Sequence, residues 1–168
     1  MATVNDRAPI SLEPKGVYLV AWQLARSKKY HWGVLIALNE EGGILFHCAN
    51  VNDGNETKWG FHERPFYNAR MSGAFRAAMK VSYMYEDSED ELRRLRERIR
   101  DTECKVEAGD NCQSWARNAI YLMADEAFIP LQPDIDAIMS MEVEAEQFAM
   151  ECEVDGTRGV QDYKHNTA

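Results

Sequence analysis

A chain of 168 residues, 45% hydrophobic and 28% charged, has the length of one ordinary domain. It can bury roughly 70% of its unfolded surface, which excludes a disordered or fibrous protein and makes a disulfide or metal unnecessary for a core. Its 28 acidic against 19 basic residues leave a net charge of −9, which argues against broad, sequence-independent adhesion to DNA or to an anionic membrane.

Residues 1–15 carry two prolines and a charged Asn5-Asp6-Arg7 stretch, and are expected to be a leader, with order beginning near Gly16. Residues 17–24 and 31–38 are short apolar runs rich in β-branched and aromatic side chains, separated by polar Arg26-Ser27-Lys28-Lys29, and read as buried strands. The cluster Asn39-Glu40-Glu41-Gly42-Gly43 is a turn signal, and residues 44–51 resume the apolar pattern, so 31–51 is predicted to be a β-hairpin. Residues 58–66 add a further strand. From Ser88 to Arg100 the period becomes helical, with Leu92, Leu95 and Ile99 on one face. A second helix opens at Asp110 in a capping-box pattern with Gln113, and its apolar side is Cys112, Trp115, Ala116, Ala119, Ile120 and Met123. Pro130 and Pro133 precede a third helix over 135–150, with Ile135, Ile138, Met139, Val143 and Phe148 expected inward. The expected organisation is one α+β domain over 16–153, an antiparallel sheet packed against helices, followed by a polar tail over 154–168 that frays.

No run of apolar residues is long enough to span a bilayer, and no charged-then-apolar signal opens the chain, so a cytoplasmic protein without a membrane partner is expected. Cys48, Cys104, Cys112 and Cys152 are dispersed and form no Cys-x-x-Cys pair, and are read as reduced thiols. No cofactor or metal is expected.

Cys112 is the candidate nucleophile, because a thiol in the first turn of a helix sits at the positive end of the macrodipole, which favours the thiolate. Acyl transfer by cysteine also needs a base and a group that orients the base. His31 and His47 share one face of the hairpin if its loop has an odd residue count; a five-residue loop over 37–41 would oppose them directly, and one of three would offset them diagonally. Against this stand the ordinary readings: a small core cysteine, structural strand histidines, or Cys112, His31 and His47 as three ligands for zinc, which the spacing alone does not support over acyl transfer. Substrate contacts are assigned to Gln23 as an oxyanion donor beside the Cys112 amide, to Trp32 among the strand aromatics as a pocket wall, and to Asn50, which is also placed to orient a histidine.

His31-Trp32-Gly33-Val34-Leu35-Ile36, then His47 on the next strand, then Asn111-Cys112-Gln113-Ser114-Trp115 opening a helix, resembles the superfamily of NlpC-type peptidases and lecithin:retinol acyltransferases, in its circularly permuted, papain-like branch. The resemblance covers roughly residues 16–125. It implies Cys112 as nucleophile, His31 as base and general acid, and His47 as the orienting third member. The polar stretch over 155–168, and Gln113 where lipid-acting members often carry an acid, point to a soluble acyl donor. A narrower likeness is to small fungal arginine-containing cyclodipeptide synthases, which implies an aminoacyl donor carried on transfer RNA; Arg93, Arg94, Arg96, Arg98 and Arg100 would then contact phosphates. Those arginines have an ordinary explanation in the acid-before-base pairs Glu89–Arg93 and Asp90–Arg94 of a solvated helix face. The alternatives to acyl transfer are a thiol amidase or peptidase, and a noncatalytic interaction module on the same fold.

Overall fold

The computed structural model describes residues 10–23, 30–53, 56–66, 68, 73–105 and 109–164, with backbone alone for 50–53 and 56–59. The polar linker 26–29 lies outside the described residues, as do 1–9 of the leader and 165–168 of the tail. Nine elements follow in chain order: β1 (Gly16–Gln23), β2 (Tyr30–Ala37), β3 (Gly43–Asp53), β4 (Glu56–Phe66), β5 (Phe75–Tyr83), α1 (Glu89–Arg100), α2 (Cys112–Asp125), α3 (Ile135–Val154) and β6 (Gly159–Asp162).

The strands form one six-stranded sheet in the order β4-β3-β2-β1-β5-β6. The sheet is mixed, not purely antiparallel as expected, because β6 runs parallel to β5 after α3 carries the chain back along the sheet. The four anticipated strands are present. β5 was missed, since the alanines of Phe75-Arg76-Ala77-Ala78-Met79 blur the alternation that marks a strand. β6 falls in the expected frayed tail, and Tyr163 just after it is 8% exposed. The visible part of the leader is also anchored: Leu12 is buried and donates its N–H to Glu40 O at 2.9 Å, and Glu13 N–H bonds the Tyr18 hydroxyl at 2.8 Å.

The period of two divides the sheet into two faces. Val17, Leu19, Ala21, Trp32, Val34, Ile36, Phe46 and Cys48 face the helices and form the main core with them. Tyr18, Val20, Leu35, Ala37 and Leu45 face the other way, under Leu12, Phe66 and Phe75. The predicted turn is built by Asn39, whose Oδ1 accepts from the N–H groups of Glu41 and Gly42 at 2.9 and 3.0 Å.

Ser88 caps α1, accepting from Glu91 N at 3.3 Å; acids fill its first turn, and Leu92, Leu95 and Ile99 are buried as predicted. α2 lies across β2 and β3, and α3 against β5 and β1. The inward face of α3 differs from the expected one: Ile138, Met141, Ala145, Ala149 and Cys152 are buried, whereas Ile135, Met139 and Val143 are exposed. Alanines at 145 and 149 let the helix approach the sheet closely, and the larger side chains are left on the outer side. No helix among the described residues is long and apolar enough to cross a membrane.

Candidate active site

The two histidines meet. The β2–β3 ladder runs from Ala37↔Gly43 to Val34↔Phe46 around a five-residue loop, 38–42. That loop lies one position later than the one that would oppose the imidazoles, so they are offset diagonally, and His31 Nε2 lies 2.8 Å from His47 Nδ1. Gly33 makes the approach feasible: a Cβ there would sit 2.8 Å from Phe46 O and 3.1 Å from the His47 Cβ. Trp22, opposite His31 on β1, packs edge-on to both rings at 4.8 and 5.9 Å. His62, opposite His47 on β4, adds a third imidazole at 5.7 Å, and the Arg64 guanidinium lies 5.6 Å from the Trp22 ring centre. Burial, with Arg64 nearby, lowers the His31 pKa to about 4. Burial, followed by repulsion from His31, Arg64 and His62, lowers that of His47 to about 3. Both rings are therefore neutral at physiological pH, one donating and the other accepting the shared hydrogen. Sequence reasoning missed Trp22, His62 and Arg64 as neighbours; Gly54-Asn55, read as a two-residue hairpin signal between Asp53 and Glu56, would have fixed the β3–β4 register that puts His62 opposite His47.

Cys112 is the first residue of α2, as the sequence implies. The cap is Asn111 and not Asp110: Asn111 Oδ1 accepts from Gln113 N and Ser114 N at 2.9 and 3.0 Å, and Ser114 Oγ returns the bond to Asn111 N at 2.9 Å. Asp110 instead closes the preceding loop by accepting from Lys105 N at 2.8 Å. Asn111→Ala is expected to destabilise the fold by about 1 kcal/mol in urea unfolding, since two amides at the helix start lose their acceptor. No acid belongs to the first turn of α2, although the Asp110 carboxylate just before it accepts from Ser114 Oγ at 3.3 Å and partly offsets the positive end of the helix. Burial raises the pKa of the Cys112 thiol, opposed by the nearby backbone of Trp32, Gln113 and Cys112 itself. Two more thiols lie near it, Cys48 and Cys104: Cys48 is buried, and burial, followed by the neighbouring Cys104, pushes its pKa up.

The pleat of β2 sends Trp32 to the helical face with Cys112, and His31 to the other face with His47. Among the described residues no hydrogen bond joins the Cys112 thiol to either imidazole. The two centres nonetheless meet on adjacent residues of one strand. The Cys112 thiol lies near the backbone of Trp32, next in sequence to His31, at the end of β2 beyond the last β3 pair.

The expected substrate contacts are placed differently. The Gln23 amide is committed elsewhere: its Nε2 donates to Glu153 at 3.2 Å, and its Oε1 accepts from Arg76 at 2.6 Å. Tyr30 also bonds Glu153, and the Arg76 Nε is buried with no hydrogen-bond partner among the described residues. The Trp32 indole is 3% exposed and belongs to the core, so its backbone N–H and not its ring reaches the site. Asn50 pairs with Trp59 in the β3–β4 ladder, and its side chain lies outside the described residues. Of the arginines on α1, Arg93 pairs with Asp90 at 2.8 Å, Arg94 with Glu91 at 2.7 Å, Arg96 with Glu63 at 2.7 Å, and Arg98 with Glu126. The two pairs within the helix are i,i+3, not the expected i,i+4. Arg100 lines an open cleft of about 360 Å³ with Gly60, Phe61, Thr102 and Cys104. Among the described residues no group of three or more His, Cys, Asp or Glu side chains is arranged to hold a metal ion. No family model matches the chain, and no curated protein or solved structure is similar to it.

Proposed function

We propose that this chain is an acyl-transfer enzyme working through a thioester on Cys112, with His31 as base and His47 as the group that orients it. The observation that carries the reading is the placing of the Cys112 thiol near the backbone of Trp32, one residue from an imidazole whose Nε2 is already engaged by His47. That engagement leaves His31 Nδ1 as the atom for the thiol proton, and catalysis then requires the ring to swing around the end of the β2–β3 ladder at Val34↔Phe46 when substrate binds. Catalytic hydrogen bonds are often long until substrate binds.

In the cycle, Sγ bonds to the donor carbonyl carbon as its proton passes to His31. The N–H groups of Trp32 and of Cys112 itself, which the Asn111 cap does not use, stabilise the oxyanion. The leaving alcohol then takes the proton from His31, and an amine or water resolves the thioester. A soluble aminoacyl ester is the donor class the resemblance favours. Two such groups joined head to tail would give a cyclic dipeptide. Four of the five α1 arginines are held by carboxylates of this chain, so the helix adds no support for carriage of the donor on transfer RNA.

The separation of thiol and imidazole by the pleat favours a second reading, a noncatalytic module in which these side chains are structural. p-Nitrophenyl acetate distinguishes the two. The enzyme is expected to release a burst of nitrophenolate, with an acetyl group mapped by mass spectrometry to Cys112. Slow release without a burst, with acetyl groups scattered over Cys104 and surface lysines, would leave the module.

A further inference from the structure

α3 is apolar on two sides. Ile138, Met141, Ala145, Ala149 and Cys152 are buried on one. On the other, Ile135, Met139, Val143, Met150 and Val154 are 41, 45, 66, 54 and 85% exposed. Their spacing of four, four, seven and four residues lines them up along a single stripe. The stripe runs the full 20 residues of the helix, about 30 Å. Shallow grooves flank it at both ends: one of about 490 Å³ lined by Val143, Met150, Val154 and the carboxylates of Glu146, Glu151 and Asp155, and one of about 560 Å³ where Ile135 meets Tyr121 and Pro133.

We propose that this stripe is a docking surface for a basic amphipathic helix of a partner protein. Single exposed apolar residues need no explanation, but a continuous row at helical spacing is the pattern that receives another helix. Charge selects the occupant. Glu146 edges the stripe on one side and Glu144, Glu151 and Asp155 on the other, and no lysine or arginine occurs between Ile135 and Val154. A second copy would bring the same acids against these, in a chain of net charge −9, and like charges facing each other oppose association. Lysines or arginines flanking an apolar ridge would instead meet carboxylates on both margins. Met139 and Met150 supply flexible, polarisable contacts that adapt to a ridge of branched side chains. The surface lies apart from Cys112 and the histidines, and the inference does not depend on their chemistry.

A fluorescently labelled synthetic peptide of about 18 residues, with leucines on one helical face and lysines on the other, is the probe. Anisotropy at physiological salt is expected to show saturable binding to the full chain, accompanied by a gain in helical circular dichroism. Binding should weaken about tenfold or more for the Val143→Ser/Met150→Ser double variant, which keeps the charge of α3. A scrambled peptide of the same composition should bind no better than it does to that variant. Equal binding of the scrambled peptide, or no loss in the variant, would overturn the proposal. So would sedimentation of the wild-type chain alone as a dimer that the double substitution dissolves, because the second copy would then be the occupant. Tighter binding of the chain to phosphatidylcholine vesicles than to the peptide would overturn it in favour of a lipid surface.

Discussion

Cys112→Ala is expected to eliminate the nitrophenolate burst and the acetyl adduct together, and His31→Ala to slow acylation by about 10²–10⁴-fold with the adduct still on Cys112. The two losses differ in kind because the thiol forms the bond and the imidazole only moves its proton. The resting pair is neutral: burial holds the His31 pKa at about 4 and raises that of the Cys112 thiol, so proton transfer between them is uphill until the sulfur begins to bond to carbon. Catalysis by His31 must then be concerted with attack, and acylation should slow measurably in deuterium oxide. His47→Gln keeps a hydrogen-bonding partner for His31 Nε2 and should cost less than His47→Ala. A His31→Ala enzyme acylated within about threefold of wild type would remove the histidine from the mechanism and leave the thiol to depend on a base brought by its substrate.

Acid should destabilise the fold well above the range in which its carboxylates titrate. An unfolded chain protonates His31 and His47 as pH falls through 6.5, whereas the folded chain resists until about 4 and about 3. The unfolded state therefore binds more protons in the intervening window, and stability falls as pH falls. Between pH 6.5 and 5 each ring contributes a loss of about 1.5 kcal/mol, so the pair contributes about 3 kcal/mol. Glu91 and Glu126, whose arginine partners hold their pKa values below the ordinary 4.5, contribute their own loss only at lower pH. Urea unfolding at several pH values is expected to show this decline in wild type and a nearly flat profile in the His31→Gln/His47→Gln double variant. The same slope in both would mean that the imidazoles are more accessible to water than their packing against Trp22 indicates.

Where a signal was local, the sequence carried it. The β2–β3 hairpin, the turn at Asn39, the buried face of α1 and the apolar side of α2 each follow from neighbours a few residues apart. The meeting of His31 and His47 was also legible, because a period of two and an odd loop determine the shared face. Their offset depended on which five residues form the loop, and composition does not distinguish 37–41 from 38–42. What failed was long-range. β5 offers too many alanines to announce a strand, and β6 is a strand only because α3 returns the chain beside β5. On α3 two apolar stripes compete for the interior. The rows containing Ala145 and Ala149 are buried because small side chains allow closer packing, which hydropathy alone does not reveal. The commitment of Gln23 to Arg76 and Glu153 joins three segments far apart in the chain, and no spacing rule anticipates it.

Because β6 supplies the outer neighbour of β5, the chain beyond α3 has a protective role that its polar composition conceals. Shortening the protein at Val154 would expose a rim of unpaired amides and carbonyls along Ala77 to Lys80, a template on which strands of other molecules can add. Expression trials that trim this segment as dispensable would select for insoluble material even where the histidine-bearing half of the sheet is intact.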